Sequence, residues 1–156
     1  MRTKMIFAAS VPFILLITTA TLAKDAQQCT EEKLQALRTV TAQNVGTKLR
    51  QHFSVPALAR AVIGGAAKWK ANPDQHQDIL ARFSDPIRLA SLYDSLAKFK
   101  DAKVLKYEKS SHPHIALTRI RASGQNYTVT IAYAKGSCTI IRMCTTGKGC
   151  AYELFR

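Results

Sequence analysis

The chain of 156 residues is poor in acidic side chains: ten Asp and Glu stand against 23 Lys and Arg, a formal net charge of +13. It also lacks the short motifs that mark common active sites. No Gly-x-Ser-x-Gly, His-Glu-x-x-His, phosphate-binding glycine loop or Gly-x-Gly-x-x-Gly occurs, so the usual sequence support for several enzyme classes is missing. The few aspartates lie mostly where helices are expected to begin or on their solvated faces, which disfavours a hydrolase with paired carboxylates. We therefore expect a protein that is not an enzyme.

Long apolar runs are scarce, and the clearest one lies at the N-terminus. A short basic segment precedes an apolar stretch from Met5 to Ile17, which small residues follow up to Ala23. This order is typical of a cleaved secretory signal peptide. The stretch is shorter than the roughly 20 residues that span a bilayer, so an uncleaved anchor is the weaker alternative. We predict a signal peptide at residues 1–23 and a single exported domain at residues 24–156.

The excess of Lys and Arg is distributed along the whole chain. A positive charge of this size favours anionic partners such as lipid headgroups, nucleic acid or an acidic protein surface. The cations do not form one stripe with interleaved aromatic residues, and an exported protein meets little nucleic acid. A membrane or protein surface is therefore the predicted partner, and no nucleic acid is expected.

Four cysteines follow the predicted signal: Cys29, Cys138, Cys144 and Cys150. In an oxidising compartment an even number indicates disulfides, and four cysteines permit three pairings. The spacing does not match the Cys-x-x-Cys pairs of zinc or redox sites. His112 and His114 alternate sides of an extended segment and have no evident third ligand. We predict structural disulfides, no metal site and no cofactor.

The first hundred residues show the helical spacing of apolar positions. Apolar residues at 34, 37, 40, 45 and 49 predict a helix over 30–50 with Thr30 as its N-cap. A second helix is expected over 54–67, with Gly64-Gly65 ending or bending it. Asn72-Pro73 and Asp85-Pro86 each place a capping residue before a proline, which predicts two further helix starts.

After Asp101 the apolar period becomes two, which is typical of strands. Short polar links between the runs indicate an antiparallel meander. The sequence therefore predicts an α+β fold, with N-terminal helices packed on a curled antiparallel sheet of four to five strands, an NTF2-like cone. We expect its terminal hairpin to pair Cys144 with Cys150, which leaves Cys29 to pair with Cys138. The predicted strands are 104–109, 114–122, 127–134 and 138–145.

A series of landmarks runs in order through most of the chain. They are Phe53, the stretch Leu-Ala-Arg-Ala-Val-Ile-Gly at 58–64, Trp69, Pro73-Asp74-Gln75, Phe83, Tyr93, Leu96, Val104, Tyr133, Gly136 and Gly147. This order resembles the MlaC or toluene-tolerance family of periplasmic phospholipid-binding proteins. In that family a phenylalanine precedes a Leu-Ala-x-x-Val-Leu-Gly stretch, a tryptophan, a Pro-Glu-Gln helix start, and a tyrosine and leucine before a strand.

The resemblance implies a phospholipid carrier in the periplasm. Members of the family hold the acyl chains in a cavity between sheet and helices and leave the headgroup outside. They shuttle lipid between an inner-membrane ABC transporter complex and an outer-membrane lipoprotein complex. For this chain the resemblance implies phospholipid as ligand, these complexes as partners and a monomer. Two acyl chains in water expose about thirty methylenes, and each costs about 0.8 kcal/mol relative to an apolar environment. Such a carrier therefore needs a dry apolar pocket.

The candidate pocket residues are apolar side chains of the predicted helices and strands. They are Val62, Ile63, Leu89, Leu92, Leu96, Ile115, Leu117, Val129, Ile131 and Ile140. We expect the mouth at Lys68, Trp69 and Lys70, where an amphipathic ring and two cations suit a phosphate. Two alternatives stay open. One is an exported cationic interaction module with a filled core, and the other is a small-substrate enzyme, which needs an ionisable group inside the pocket.

Overall fold

The computed structural model describes residues 25–156, and the predicted signal peptide lies outside these residues. The described chain is helical up to Ala97 and β-stranded from Lys103. The helices are α1 (Ala26–Arg38), α2 (Val45–His52), α3 (Val55–Val62), α4 (Ala66–Ala71), α5 (His76–Ala81) and α6 (Pro86–Ala97). The strands are β1 (Lys103–Glu108), β2 (Ile115–Ala122), β3 (Gln125–Tyr133), β4 (Ile140–Thr145) and β5 (Gly149–Cys150). Short 3-10 segments occupy Pro73–Gln75, Arg82–Ser84 and Ala151–Phe155.

The strands form one open antiparallel meander in the order β1-β2-β3-β4-β5. The β2–β3 link is tight because Ser123 and Gly124 both adopt positive φ, 48° and 76°, as two-residue hairpin turns require. The helices pack on one face of this curled sheet. The predicted α+β class is confirmed, and the sheet has the upper number of strands expected.

Side-chain alternation on β2 identifies the face that the helices cover. Its even-numbered residues from Ala116 to Ala122 are buried, whereas Arg119 and Arg121 are exposed and Ile115 and Leu117 are only half-buried. Successive side chains of a strand point to opposite faces of the sheet. The even-numbered residues of β2 therefore face the core, and the odd-numbered ones face away from the helices.

The predicted first helix, residues 30–50, is two helices. A turn between α1 and α2 is held by Asn44, whose Oδ1 accepts from the Thr41 N–H at 2.8 Å and whose Nδ2 donates to the Thr39 carbonyl at 2.9 Å. The N-cap of α1 is Asp25, which accepts from the Gln28 N–H at 2.8 Å. The prediction of Thr30 as N-cap is wrong, because Thr30 lies inside the helix and is buried.

Thr30 instead fixes α1 to the sheet. Its hydroxyl donates to the Ala26 carbonyl at 2.7 Å, and its oxygen lies 2.8 Å from the hydroxyl oxygen of Tyr133 on β3. Since the Thr30 proton is already used, Tyr133 is the donor in the second bond. Burial raises the pKa of Tyr133 to about 12, so this phenol is protonated throughout the neutral range.

The glycine pair ends a helix, as one of the two sequence interpretations had it. Ser54 caps α3 by accepting from the Ala57 N–H at 3.3 Å. Gly64 and Gly65 then take φ values of 98° and 114°, which residues with a Cβ rarely adopt. The chain restarts as the separate helix α4.

The two proline-led helix starts have different outcomes. Asp85 caps α6 as predicted, accepting from the Arg88 N–H at 2.9 Å. Asn72 does not cap the start of the next helix, because its side chain donates back to the Lys68 carbonyl at 2.7 Å and so ends α4. The residues after it form a 3-10 turn before α5 begins.

Both predicted disulfides are present. Cys29 on α1 is joined to Cys138, which precedes β4, and Cys144 on β4 is joined to Cys150 on β5. The second bond lies across the terminal hairpin, where the two cysteines are register partners. The first bond fixes α1 to the sheet covalently.

The C-terminal 3-10 segment completes the core. Phe155 is fully buried and stacks on Phe83 with ring centroids 4.2 Å apart. The Arg88 guanidinium donates to the carbonyls of Leu154 and Arg156 at 3.1 and 2.6 Å. Within residues 25–156, no helix combines the length and the apolar character that a bilayer crossing demands.

Candidate functional site

A cavity of about 40 Å³ lies between α1, α2, α6 and the inner face of the sheet. This volume accommodates a few water molecules at most. Its walls are almost entirely apolar, so the space is an apolar gap in the core and not a polar cleft. The apolar wall residues are Leu34, Ala36, Leu37, Val40, Leu49, Phe53, Leu96, Phe99, Ile120, Val129, Ile131, Ile140 and Met143.

Regular periodicity places these side chains. On α1, Leu34 and Leu37 are three residues apart and share one face of the helix. On β3, Val129 and Ile131 are two residues apart and both point to the helix side, where they are buried. One face of α1 and the inner face of β3 therefore line the same cavity.

Two buried polar atoms on the cavity wall lack a hydrogen-bond partner among the described residues. They are Nε2 of His52 and Oγ1 of Thr118. A buried polar group without a partner costs about 1–3 kcal/mol, so such atoms are rare in native cores. An otherwise apolar wall thus contains two polar groups that can bond a ligand.

The tautomer of His52 follows from its neighbour. Lys33 Nζ lies 3.2 Å from His52 Nδ1, and an ammonium can only donate. Nδ1 is therefore the acceptor, which leaves the proton on Nε2, the atom without a partner. Burial, and then the charges of Lys33 and Lys48, lower the pKa of His52. The imidazole is neutral at neutral pH and directs an N–H donor at the cavity.

Cations border the same cavity. Lys33 on α1 and Lys48 on α2 both contribute to its wall and are half-exposed. Ammonium groups at the edge of an apolar space suit the anionic end of an amphiphile whose tail lies inside. The arrangement combines an apolar space with cations at its edge, which is the chemistry that matches a molecule with one apolar and one negatively charged part.

A larger groove of about 560 Å³ adjoins the cavity. It lies between α6, the ends of β3 and β4 around the terminal hairpin, and the C-terminal segment. Leu96, Phe99 and Met143 line both spaces, so these three side chains, here called the partition, separate the groove from the cavity. Lys98 and Lys148 are exposed at the groove.

Half of the predicted pocket residues border these spaces. Val129, Ile131 and Ile140 line the cavity, Leu92 lines the groove, and Leu96 lines both. Each is buried.

The other five lie outside both spaces. Ile115 and Leu117 are odd-numbered residues of β2 and therefore face away from the helices. Leu89 packs α6 against α2, where its Cδ1 lies close to Gly46. Val62 and Ile63 are half-buried at the end of α3, which packs chiefly against α5 and the C-terminal segment. Apolar spacing alone did not show that Ile115 and Leu117 lie on the outer face of the sheet. It also did not show that Leu89, Val62 and Ile63 lie away from the cavity and the groove.

The predicted mouth lies elsewhere on the surface. Lys68, Trp69 and Lys70 belong to α4, which borders neither the cavity nor the groove. Trp69 stacks on His76 with ring centroids 3.7 Å apart, and His76 Nε2 lies 2.7 Å from the Trp69 carbonyl oxygen. The tryptophan therefore packs α4 against α5 and is not at an opening.

Sequence reasoning missed the α1–α2 side of the cavity. The spacing that predicted the first helix already contained four cavity residues, Leu34, Leu37, Val40 and Leu49, but not their role. Lys33, Lys48 and His52 flank these positions at helical spacing. Helical spacing shows that a face is buried but not whether it meets another side chain or a gap.

No protein-family model, curated protein or solved structure matches this chain. Its function must therefore be argued from the cavity itself.

Proposed function

We propose that the protein is an exported lipid carrier that holds the acyl part of a phospholipid between its helices and its sheet. The supporting observation is the apolar cavity, with two lysines at its edge and an unpartnered N–H donor in its wall. An acyl ester offers what this wall lacks, because its carbonyl accepts from His52 Nε2 or the Thr118 hydroxyl. The two disulfides suit an oxidising compartment such as the periplasm.

The volume of the cavity makes opening part of the proposal. Closed, it accommodates no acyl chain. Joined to the groove by movement of the partition, the two spaces hold roughly 600 Å³, which lies within the range of about 300–1,000 Å³ for ligand sites. In this proposal the conformation described here is the closed form of the carrier.

The family that the sequence resembles suggests the transport step. In this proposal the carrier exchanges phospholipid with an inner-membrane ABC transporter complex and an outer-membrane lipoprotein complex. No side chain is assigned a catalytic role.

The test is native mass spectrometry on protein isolated gently from lipid-rich cells, combined with titration of a fluorescent phospholipid. We expect a co-isolated lipid mass and saturable probe binding. Val129→Phe, which adds bulk inside the cavity, should abolish both. Leu117→Phe adds the same kind of bulk on the outer face of the sheet and is the matched control.

Overpacking a core costs about 1–3 kcal/mol, so Val129→Phe must first show a native circular dichroism spectrum. Leu37→Trp, at a half-buried wall position of α1, provides a second blocking variant. A wild-type protein that carries no lipid and binds no probe would contradict the carrier proposal. Equal probe binding by the wild type and both blocked variants would exclude this cavity as the site.

A second candidate function is an exported interaction module without lipid. The small closed volume of the cavity favours it, since a core that never opens serves only to hold the fold. This candidate predicts a lipid-free protein whose binding to an anionic partner weakens with salt.

A further inference from the structure

The face of the sheet opposite the helices is strongly cationic. In the register of the sheet, Lys103 lies opposite Arg121 and Lys106 lies opposite Arg119. Arg142 lies opposite Ala132, and Ala132 in turn lies opposite Ile115, an odd-numbered residue of β2. All five cations therefore lie on the face that carries the odd-numbered residues of β2, and all five are exposed. We call this surface, made of Lys103, Lys106, Arg119, Arg121 and Arg142, the basic face.

Acidic groups on the basic face are few in the described chain. Glu108 pairs with Arg119 at 2.6 Å. At the end near the β2–β3 turn, the carboxylate of Asp101 accepts from the Ser123 N–H at 3.1 and 3.2 Å. Most of the positive charge of the face is left without an ion-pair partner.

The arrangement is unfavourable for the isolated fold. Like charges directly opposite each other on neighbouring strands destabilise a sheet, and this sheet has two such pairs between β1 and β2. Lysines on the edge strand β1 also prevent sheet-to-sheet association. That reason does not apply to the arginines of β2, which is an inner strand paired with β1 and β3. An anionic partner would relieve the repulsion between these paired cations, of which only Arg119 has an ion pair within residues 25–156, with Glu108.

We propose that the basic face is a docking surface for an anionic lipid bilayer. The cations are spread over three of the strands, β1, β2 and β4. A bilayer presents phosphates at any spacing and so matches such a surface. Leu105 is 53 % exposed at the β1 bulge, and Ile115 and Leu117 are half-buried among the cations. These side chains add apolar contact at the level of the headgroups.

Docking in this way brings the groove near the membrane. Arg121 is two residues from Ser123, which lines the groove, and Lys103 is the register partner of Arg121. The end of the basic face and the opening of the groove therefore share one end of the molecule. The docking proposal does not rest on the carrier function, since it needs only the charges of the surface.

The test is co-sedimentation of the disulfide-bonded protein with phosphatidylcholine vesicles that contain or lack about 30 mol % phosphatidylglycerol. We expect binding to the anionic vesicles only, and its loss in about 0.5 M NaCl, where the Debye length falls well below 10 Å. Each cation near the membrane contributes roughly fivefold to partitioning. The triple variant Lys103→Gln, Lys106→Gln, Arg121→Gln should therefore bind about 100-fold more weakly.

The matched control is Arg60→Gln, Lys68→Gln, Lys70→Gln, which removes the same charge from exposed positions on α3 and α4. It should keep most of the binding. Equal losses in the two triple variants would overturn the proposal, because net charge alone would then explain the binding. Binding to heparin without binding to anionic vesicles would also overturn it, in favour of another polyanion. Vesicle binding by a protein that carries no lipid and takes up no phospholipid probe would support docking while contradicting the carrier function.

Discussion

Removing the two disulfides separately should have unequal effects, because they close loops of very different length. Cys29 and Cys138 are 109 positions apart, whereas Cys144 and Cys150 are 6 positions apart. A cross-link stabilises largely by restricting the unfolded chain, and the effect grows with the logarithm of the loop length. The relation gives about 4.8 kcal/mol for the long loop and about 2.4 kcal/mol for the short one at 25 °C.

The perturbations are the double variants Cys29→Ala/Cys138→Ala and Cys144→Ala/Cys150→Ala. Each removes two sulfur atoms and leaves the other bond intact, so each is the control for the other. With a urea m-value of about 2 kcal/mol per molar, the midpoint should fall by about 2.4 M for the long loop and about 1.2 M for the short one.

Two signals follow the unfolding. Circular dichroism reports the helices, and fluorescence reports Trp69, the single tryptophan of the chain, which stacks on His76. Coincident transitions would justify a two-state treatment. A loss from the short-loop variant equal to or greater than that from the long-loop variant would refute the reasoning, and would mean that local contacts of the hairpin dominate.

Two further predictions concern the cavity wall. Thr118→Val should raise the free energy of unfolding by about 1 kcal/mol, since it removes a buried hydroxyl without a partner; a loss of stability in urea unfolding would show that this hydroxyl is hydrogen-bonded. Burial lowers the pKa of His52 in the folded state, so wild-type stability should fall as pH drops below about 6.5, where the unfolded chain takes up the proton. His52→Leu should reduce that fall between pH 7.5 and pH 5 in thermal unfolding; an unchanged pH dependence would assign it to other groups.

The architecture was predictable because local signals and fold agree over most of the chain. The switch from helical spacing to period two after Asp101 marks the boundary between helices and sheet, and Ser54 and Asp85 cap helices as their sequence context predicts. The disulfide pairs followed from the hairpin, because it brings Cys144 beside Cys150. The break between α1 and α2 was missed since it depends on the side-chain bonds of Asn44, which apolar spacing does not reveal.

The site was less predictable than the fold, because a cavity depends on which faces meet. Apolar residues on both sides of β2 look alike in sequence, yet a shift of one residue moves a side chain to the opposite face. Trp69 between two lysines suggested a mouth, but its position follows from the glycine pair that separates α4 from α3. The cationic edge at Lys33 and Lys48 could not be predicted from the sequence, because it depends on α1 and α2 lying side by side over the sheet.

The opening that a carrier needs is easier at the partition than by lifting α1. Moving α1 would break the hydrogen bond between Thr30 and Tyr133, and the disulfide between Cys29 and Cys138 restrains such a movement. The partition contains Met143, whose unbranched side chain changes conformation at little cost. It also contains Phe99, which lies beyond the end of α6 and meets Tyr127 edge-on at 5.2 Å. In the carrier proposal these two side chains rotate to join the cavity to the groove, and lipid enters from the groove.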